Sequence, residues 1–431
     1  MTAYAKHLPA GATPASGMAP WGVEAAARWR GARPPAVFAP GPGSRLLAVL
    51  VAASLTLILW NEAPGPAGGT AWRAYPDAVV LVALPLWYRF LPGAAAVSAA
   101  LLAMEAAVAL PGTAGSDAAA RTGLVLVCLL SLWALAGALL RLRARRAQAR
   151  LALAAAGPAR YPLPRLLPPG HDRRGNMPLL TGGFLCLVGA CILLDGILGD
   201  LGGRAPYDAV GQQRVALPLL VAGATLLGRG WTADLAARRL HREPQPALVV
   251  GVRVAPSGHF WLYPDADSPA GTPLIGYRPG RGDTRDGVRL LARAVDGRYP
   301  RGLHDIDARA EPFEAVVHGP LHEGAEIVVE YAVHGGGGIS AGVAAAPLLP
   351  RLRSGLDGWV PAGVSHRETQ ERRRERARTY APPSPPPKRR SATTHGTAAA
   401  TGTGAATTGG GCGGDGGCGS GCGGCGGCGC G

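Results

Sequence analysis

Between Leu46 and Leu227 the apolar residues gather into runs, and arginine is dense in every second stretch that separates them. The run 122–140, TGLVLVCLLSLWALAGALL, carries no charge over 19 residues, about the length that crosses a hydrocarbon core. It stops at Arg141, Arg143, Arg145, Arg146 and Arg150. Runs of this kind predict six membrane-spanning helices near 43–60, 75–90, 92–110, 122–142, 178–198 and 215–231. The first, second and sixth have apolar cores shorter than about 18 residues, so each is ambiguous alone and rests on the set.

The charges between the runs give the topology. The leader holds Lys6, Arg28, Arg30, Arg33 and Arg45 against Glu24, whereas the next loop holds Glu62, Arg73 and Asp77. Arg89 marks a basic turn, and the loop 111–121 has one Asp and one Arg. The loop after the fourth run is again basic and adds Arg160, Arg165, Arg173 and Arg174. The loop 199–214 is balanced, and Arg229, Arg238, Arg239 and Arg242 follow at the end of the sixth run against Asp234 and Glu243. Basic loops stay in the cytoplasm, which puts both termini there and the protein in the plasma membrane.

Past the sixth run a helix continues through 231–241 until Pro244 and Pro246 end it. The period then changes. Strand-like runs at 247–254, 259–263, 272–278, 313–318, 326–333 and 339–346 are punctuated by Gly and Pro, and 287–295 fits strand or helix. Short strands at about ten-residue spacing predict a small antiparallel sandwich or barrel. The fold class expected is an α-helical membrane bundle of about six transmembrane helices (43–245), a β-rich cytoplasmic module (246–353) and disordered tails.

Those tails are a basic Ala/Pro/Gly-rich leader (1–42), a basic Pro-rich linker (354–396) and a Gly/Cys-rich low-complexity tail (397–431). Within the leader, 21–30 could instead form a short basic amphipathic helix on the membrane surface. Within the linker, Ser365 and Glu368 make a capping box for a helix over 365–379, and 382–387 is a polyproline spacer.

Composition adds little to this picture. The mean hydropathy of +0.14 is too low for a chain that is membrane throughout. The formal charge of +15 is first a topology signal. The bias to Ala, Gly, Pro and Arg is that of a GC-rich bacterial genome. Basic segments allow contact with anionic lipid in addition to the bilayer itself. The basic stretch 365–390 has Tyr380 as its one Phe, Trp or Tyr for stacking, which speaks against nucleic acid.

Candidate chemistry is sparse. Glu105 lies inside the third apolar run, where a carboxylate costs several kcal/mol unless paired or wet, and is the membrane-embedded candidate. Asp195 sits near the end of the fifth run, and Cys128, Cys186 and Cys191 read as small buried hydrophobes. The module holds His259, His304, His318, His322 and His334 with Asp305, Asp307, Glu323 and Glu326. Gly319 and Pro320 break any helical metal pair between His318 and His322. Nucleophile-elbow, zincin and phosphate-loop motifs do not occur, so no catalytic residue and no cofactor is expected. Cys422, Cys425 and Cys428 match C-x2-C-x2-C, a weak metal candidate without the expected fourth ligand and set in glycine that is costly to order.

The segments HFWLYPDADSPAG (259–271), EPFEAVVHGPLHEGAEIVVEYAV (311–333) and APLLPR (346–351) resemble the soluble part of uncharacterised actinobacterial integral membrane proteins. The resemblance covers the module and the last two spans, and it implies no activity. The expected function is a non-enzymatic scaffold or sensor acting through the module. A transporter or channel subunit with Glu105 lining a path, and a metal- or redox-linked protein using the Cys-rich tail, are the alternatives.

Overall fold

A computed structural model describes residues 3–8, 18–59, 70, 72–113, 118–165, 167–168, 170–171, 173–202, 208–255, 258–267, 273–279, 284–288, 305–306, 312–335 and 338–350. Among the described residues there are seven α-helices: α1 (Val23–Gly31), α2 (Pro40–Leu59), α3 (Tyr75–Phe90), α4 (Pro92–Ala109), α5 (Ala118–Ala156), α6 (Asn176–Leu201) and α7 (Val210–Arg242). Five of them, α2, α4, α5, α6 and α7, are long and apolar enough to cross a membrane. The expectation of six is corrected at α3, whose 16 residues reach about 24 Å against a core of about 30 Å. Even so, α3 runs between the same two ends as its neighbours. Its Tyr75 hydroxyl donates to the Gln213 carbonyl of α7, and its Tyr88 hydroxyl donates to the Phe38 carbonyl just before α2.

Two packing modes hold the helices. Leu47, Leu84, Tyr88, Leu102 and Leu130 fill a core shared by α2, α3, α4 and α5. In the α6–α7 hairpin glycine lets backbones touch: a Cβ on Gly182 would meet the Leu227 amide, and one on Gly223 would lie 2.9 Å from the Cys186 amide. Close approach through small residues is how helices associate where lipid is as apolar as leucine. The outward side of α6, with Leu180, Phe184, Leu187, Leu194 and Leu198, is exposed and apolar.

The helices alternate in direction. Tyr88 bonds to Phe38, a Cβ on Gly228 would meet Leu91, and one on Gly230 would lie 2.7 Å from the Leu179 amide, so these positions share one end. Trp72 with Asp200, and Thr70 with Ala209, mark the other. The buried Arg141 guanidinium donates to the Tyr88 and Arg89 carbonyls, satisfying orphan carbonyls at the C-terminus of α3.

Among the described residues nine strands flank the helices: β1 (Ala3–Ala5), β2 (Ala247–Val254), β3 (Phe260–Tyr263), β4 (Ile275–Tyr277), β5 (Thr284–Val288), β6 (Asp305–Ile306), β7 (Phe313–His318), β8 (Glu326–Gly335) and β9 (Gly338–Pro347). They form one curled antiparallel sheet, a half-barrel with the path β4-β3-β2-β7-β8-β9. β1 pairs with β8 and β6, and β5 pairs with β9. Of the expected sandwich or barrel, the sandwich is not found among the described residues, and the single curled sheet is half of a barrel. The reason lies in the strands: β2 and β8 are largely buried on both sides, and helices and loops from the first half of the chain cover both.

Leu248, Val250, Val252, Phe313, Val317, Ile327 and Val329 make the first face, packed against Trp21, Trp29, Ala152 and Ala156. On the second face, Val328, Val343 and Ala345 meet Leu240, Leu163 and Leu167. The expected disorder of the leader (1–42) does not hold over residues 18–42. Trp21 and Trp29 flank or lie on α1, are 1% and 2% exposed, and meet edge to face at 5.3 Å. Burying two indoles outweighs the ordering cost of a short Ala-rich helix. The helix expected at 365–379, the polyproline spacer and the tail with Cys422, Cys425 and Cys428 lie outside the described residues.

Candidate functional site: the joint between helices and sheet

Two helices leave the apolar layer without a break and reach the sheet. α5 continues past Arg141 for four more turns until Gly157 (φ +72°) and Pro158 end it. Its buried side chains Arg141, Gln148, Ala152 and Ala156 follow helical spacing. The last two join the first face of the sheet. α7 runs on to Arg242 and puts Leu240 on the second face. The sheet is therefore held between extensions of two membrane-length helices.

The turn between β7 and β8 is the first contact of the joint. The Trp29 indole donates to the Leu321 carbonyl at 2.8 Å. The Glu323 amide donates to Gln148 Oε1 at 3.1 Å, and the Glu323 carboxylate is the opposing charge for Arg145. Two glycines give the turn its shape, Gly319 at φ +116° and Gly324 at φ +81°. A Cβ on Gly324 would sit 3.2 Å from the Arg145 guanidinium. Burial holds the His322 imidazole below its usual range; a hydrogen bond to the Glu323 carbonyl opposes this, and Arg145 adds to it.

The second contact is a buried polar seam on the opposite face. Arg174, just before α6, places Nε 3.2 Å from Glu326 Oε1 and donates from Nη1 to the Ala345 carbonyl. Glu326 is 5% exposed, and burial pushes its carboxyl up to about 7 although Arg174 pulls the other way. Its Oε2 has no hydrogen-bond partner among the described residues. His171 Nδ1 lies 2.9 Å from His241 Nε2 of α7. His318, wholly buried on β7, places Nε2 3.6 Å from Glu330 Oε2 on β8. Gln245 closes the end of α7 by donating to the Leu240 carbonyl at 3.1 Å. Desolvation decides the carboxyl's state here, as expected for a charge far from water.

The candidates read from sequence scatter. Glu105 is on the exposed side of α4, beside Leu101, Met104 and Val108, and turned away from the helix core of Ala95, Ala99, Leu102 and Ala106. Asp195 is exposed on α6 toward the end far from the sheet. Cys128 and Cys186 are half-buried and Cys191 is exposed. Of the histidines, His318 and His322 reach the joint, while His304 and Asp307 lie outside the described residues. Among the described residues no three metal-binding side chains gather. Gln148, His171, His241 and Glu330 were not singled out by sequence, and Arg174 was read there as a loop charge alone.

Comparison with protein-family models, curated proteins and solved structures gave no match. The fold and its five apolar helices define the class as a membrane protein, and the resemblance to actinobacterial proteins gains no support.

Proposed function

We propose that this chain is a non-enzymatic plasma-membrane scaffold or sensor whose sheet works on the cytoplasmic side, together with both termini. The observation that carries the reading is mechanical. α5 and α7 are unbroken from the apolar layer to opposite faces of the sheet, so a shift of either helix in the bilayer moves its grip on the sheet. Packed interiors transmit such shifts because they deform little.

Charge supports the orientation. Arg45, Arg89, Arg143, Arg146 and Arg229 lie at the end that carries the sheet. The far end has Arg73, Arg121 and Arg214 with Asp77, Asp200 and Asp208. That asymmetry is the positive-inside pattern. The partners implied are the bilayer, anionic lipid at the basic end, and membrane or cytoplasmic proteins met through the sheet. The outward side of Glu105 gives the transporter reading no support.

The test is hydrogen exchange of the full chain in nanodiscs of short- and long-chain lipid. Protection of the β8 amides is expected to change with bilayer thickness, and the change is expected to shrink in Gln148→Ala and Arg174→Ala. Exchange that ignores the bilayer would remove the sensor reading.

A further inference from the structure

We infer that the cavity between the last turns of α5 and the first face of the sheet is a binding site for a single-chain aliphatic carboxylate.

Three parts of the chain wall this cavity. α5 gives Ala152, Leu153 and Ala156, β2 and β7 give Leu248 and Val317, and the turn after β7 gives Leu321. All of these are buried except Leu153, which is 43% exposed and stands at the mouth. The volume is about 270 Å³, at the small end for ligand pockets. If a methylene takes roughly the 30 Å³ of a liquid water, one chain of about nine carbons fills it. The two long chains of a phospholipid do not fit. Leu153 lies about 18 Å beyond Arg141 along α5, past the arginines that end the apolar run. The cavity therefore opens outside the apolar layer, where an alkyl chain gains by leaving water.

Charge selects the head of the ligand. Arg150 lines the same cavity and is exposed, and no acidic side chain lines it among the described residues. Its Nε donates to the Arg146 carbonyl at 3.3 Å. Among the described residues no carboxylate forms an ion pair with Arg150, or with Arg146 one turn back, which is also exposed. The buried cations of the joint differ, because Arg145 faces Glu323 and Arg174 meets Glu326. One guanidinium without an acid, beside an apolar cavity with room for one chain, matches a molecule with an alkyl body and one anionic end. A carboxylate is the head that a planar guanidinium fork receives on two oxygens.

The experiment measures maleimide labelling of Leu153→Cys, in the full chain in nanodiscs and in a background free of native cysteine, with alkanoates added. Nonanoate is expected to slow labelling saturably and to leave Asp208→Cys, exposed at the far end of α7, unaffected. From hexanoate to nonanoate the protection should tighten about fourfold per methylene and then level off. Partition into the bilayer keeps rising with chain length, so protection that climbs steadily through dodecanoate overturns the cavity as the site. Adding Arg150→Gln should weaken protection by nonanoate about threefold and leave protection by the uncharged nonanol unchanged. Equal weakening of both overturns the choice of a carboxylate. Slow labelling before any alkanoate is added means that another segment of this chain or a second copy covers the mouth, and overturns the carboxylate as occupant. Labelling that no alkanoate slows overturns the site outright.

Discussion

Replacing Glu326 with Gln removes a carboxylate that sits 5% exposed between the sheet and the segment leading into α6. Burial sets its titration near pH 7 instead of the ordinary 4.5, against the opposing pull of Arg174. Between those two values the folded protein keeps a proton that the unfolded chain has released. The associated stability is therefore full below pH 4.5, declines as pH rises through 7, and is gone above it. At 1.36 kcal/mol per pH unit of displacement the whole effect is about 3 kcal/mol. Gln keeps the shape, and its Oε1 still accepts from Arg174, but it does not ionise. Tryptophan-fluorescence melting of the full chain in detergent from pH 5 to pH 9 gives the readout. Wild type should lose stability from pH 5 to about 7 and then level off as far as this group is concerned, whereas Glu326→Gln should lose less and exceed wild type at pH 9. Parallel profiles, or a variant weaker than wild type at pH 9, would refute the reasoning.

Other perturbations probe other parts of the joint and the hairpin. Trp29→Ala deletes a buried indole and its bond to Leu321, a loss of about 3–5 kcal/mol; trypsin should then cut at Arg28 or Arg30 in protein that was resistant. Gly324→Val forces a β-branched residue to φ +81° beside Arg145, and should destabilise the fold by more than the roughly 1 kcal/mol of ordinary glycine strain, read as a lower melting point. Gly182→Leu pushes α6 off α7 at Leu227, and cysteine cross-linking between the two helices should fall sharply while the sheet's amide protection holds.

The apolar runs made the membrane helices legible, because lipid demands length and apolarity together and few soluble helices supply both. The ends were harder. α5 outlasts its apolar run because 143–156 is Ala-, Arg- and Leu-rich, all good helix formers, and the first breaker is Gly157-Pro158. That breaker was the available signal. α1 was hidden by a basic, Ala-rich composition typical of disorder, and its sign was a tryptophan pair eight residues apart. The β7–β8 hairpin was plain from FEAVVH-GP-EIVVEYAV, yet one sheet and two sheets share that pattern. The seam was least visible. Glu326, Glu330 and His318 alternate along their strands as solvent-facing residues do, and the residues that bury them come from 161–174 and the end of α7.

The central claim is that lipid surrounds the apolar half and that the sheet lies on the cytoplasmic side. Labelling with a membrane-impermeant maleimide in intact cells tests it directly, using Asp208→Cys and Arg242→Cys in a background free of native cysteine. Both positions are exposed, at opposite ends of α7. The account predicts that Asp208→Cys labels in intact cells and Arg242→Cys only after permeabilisation. The reverse pattern would contradict it, as would equal labelling of both.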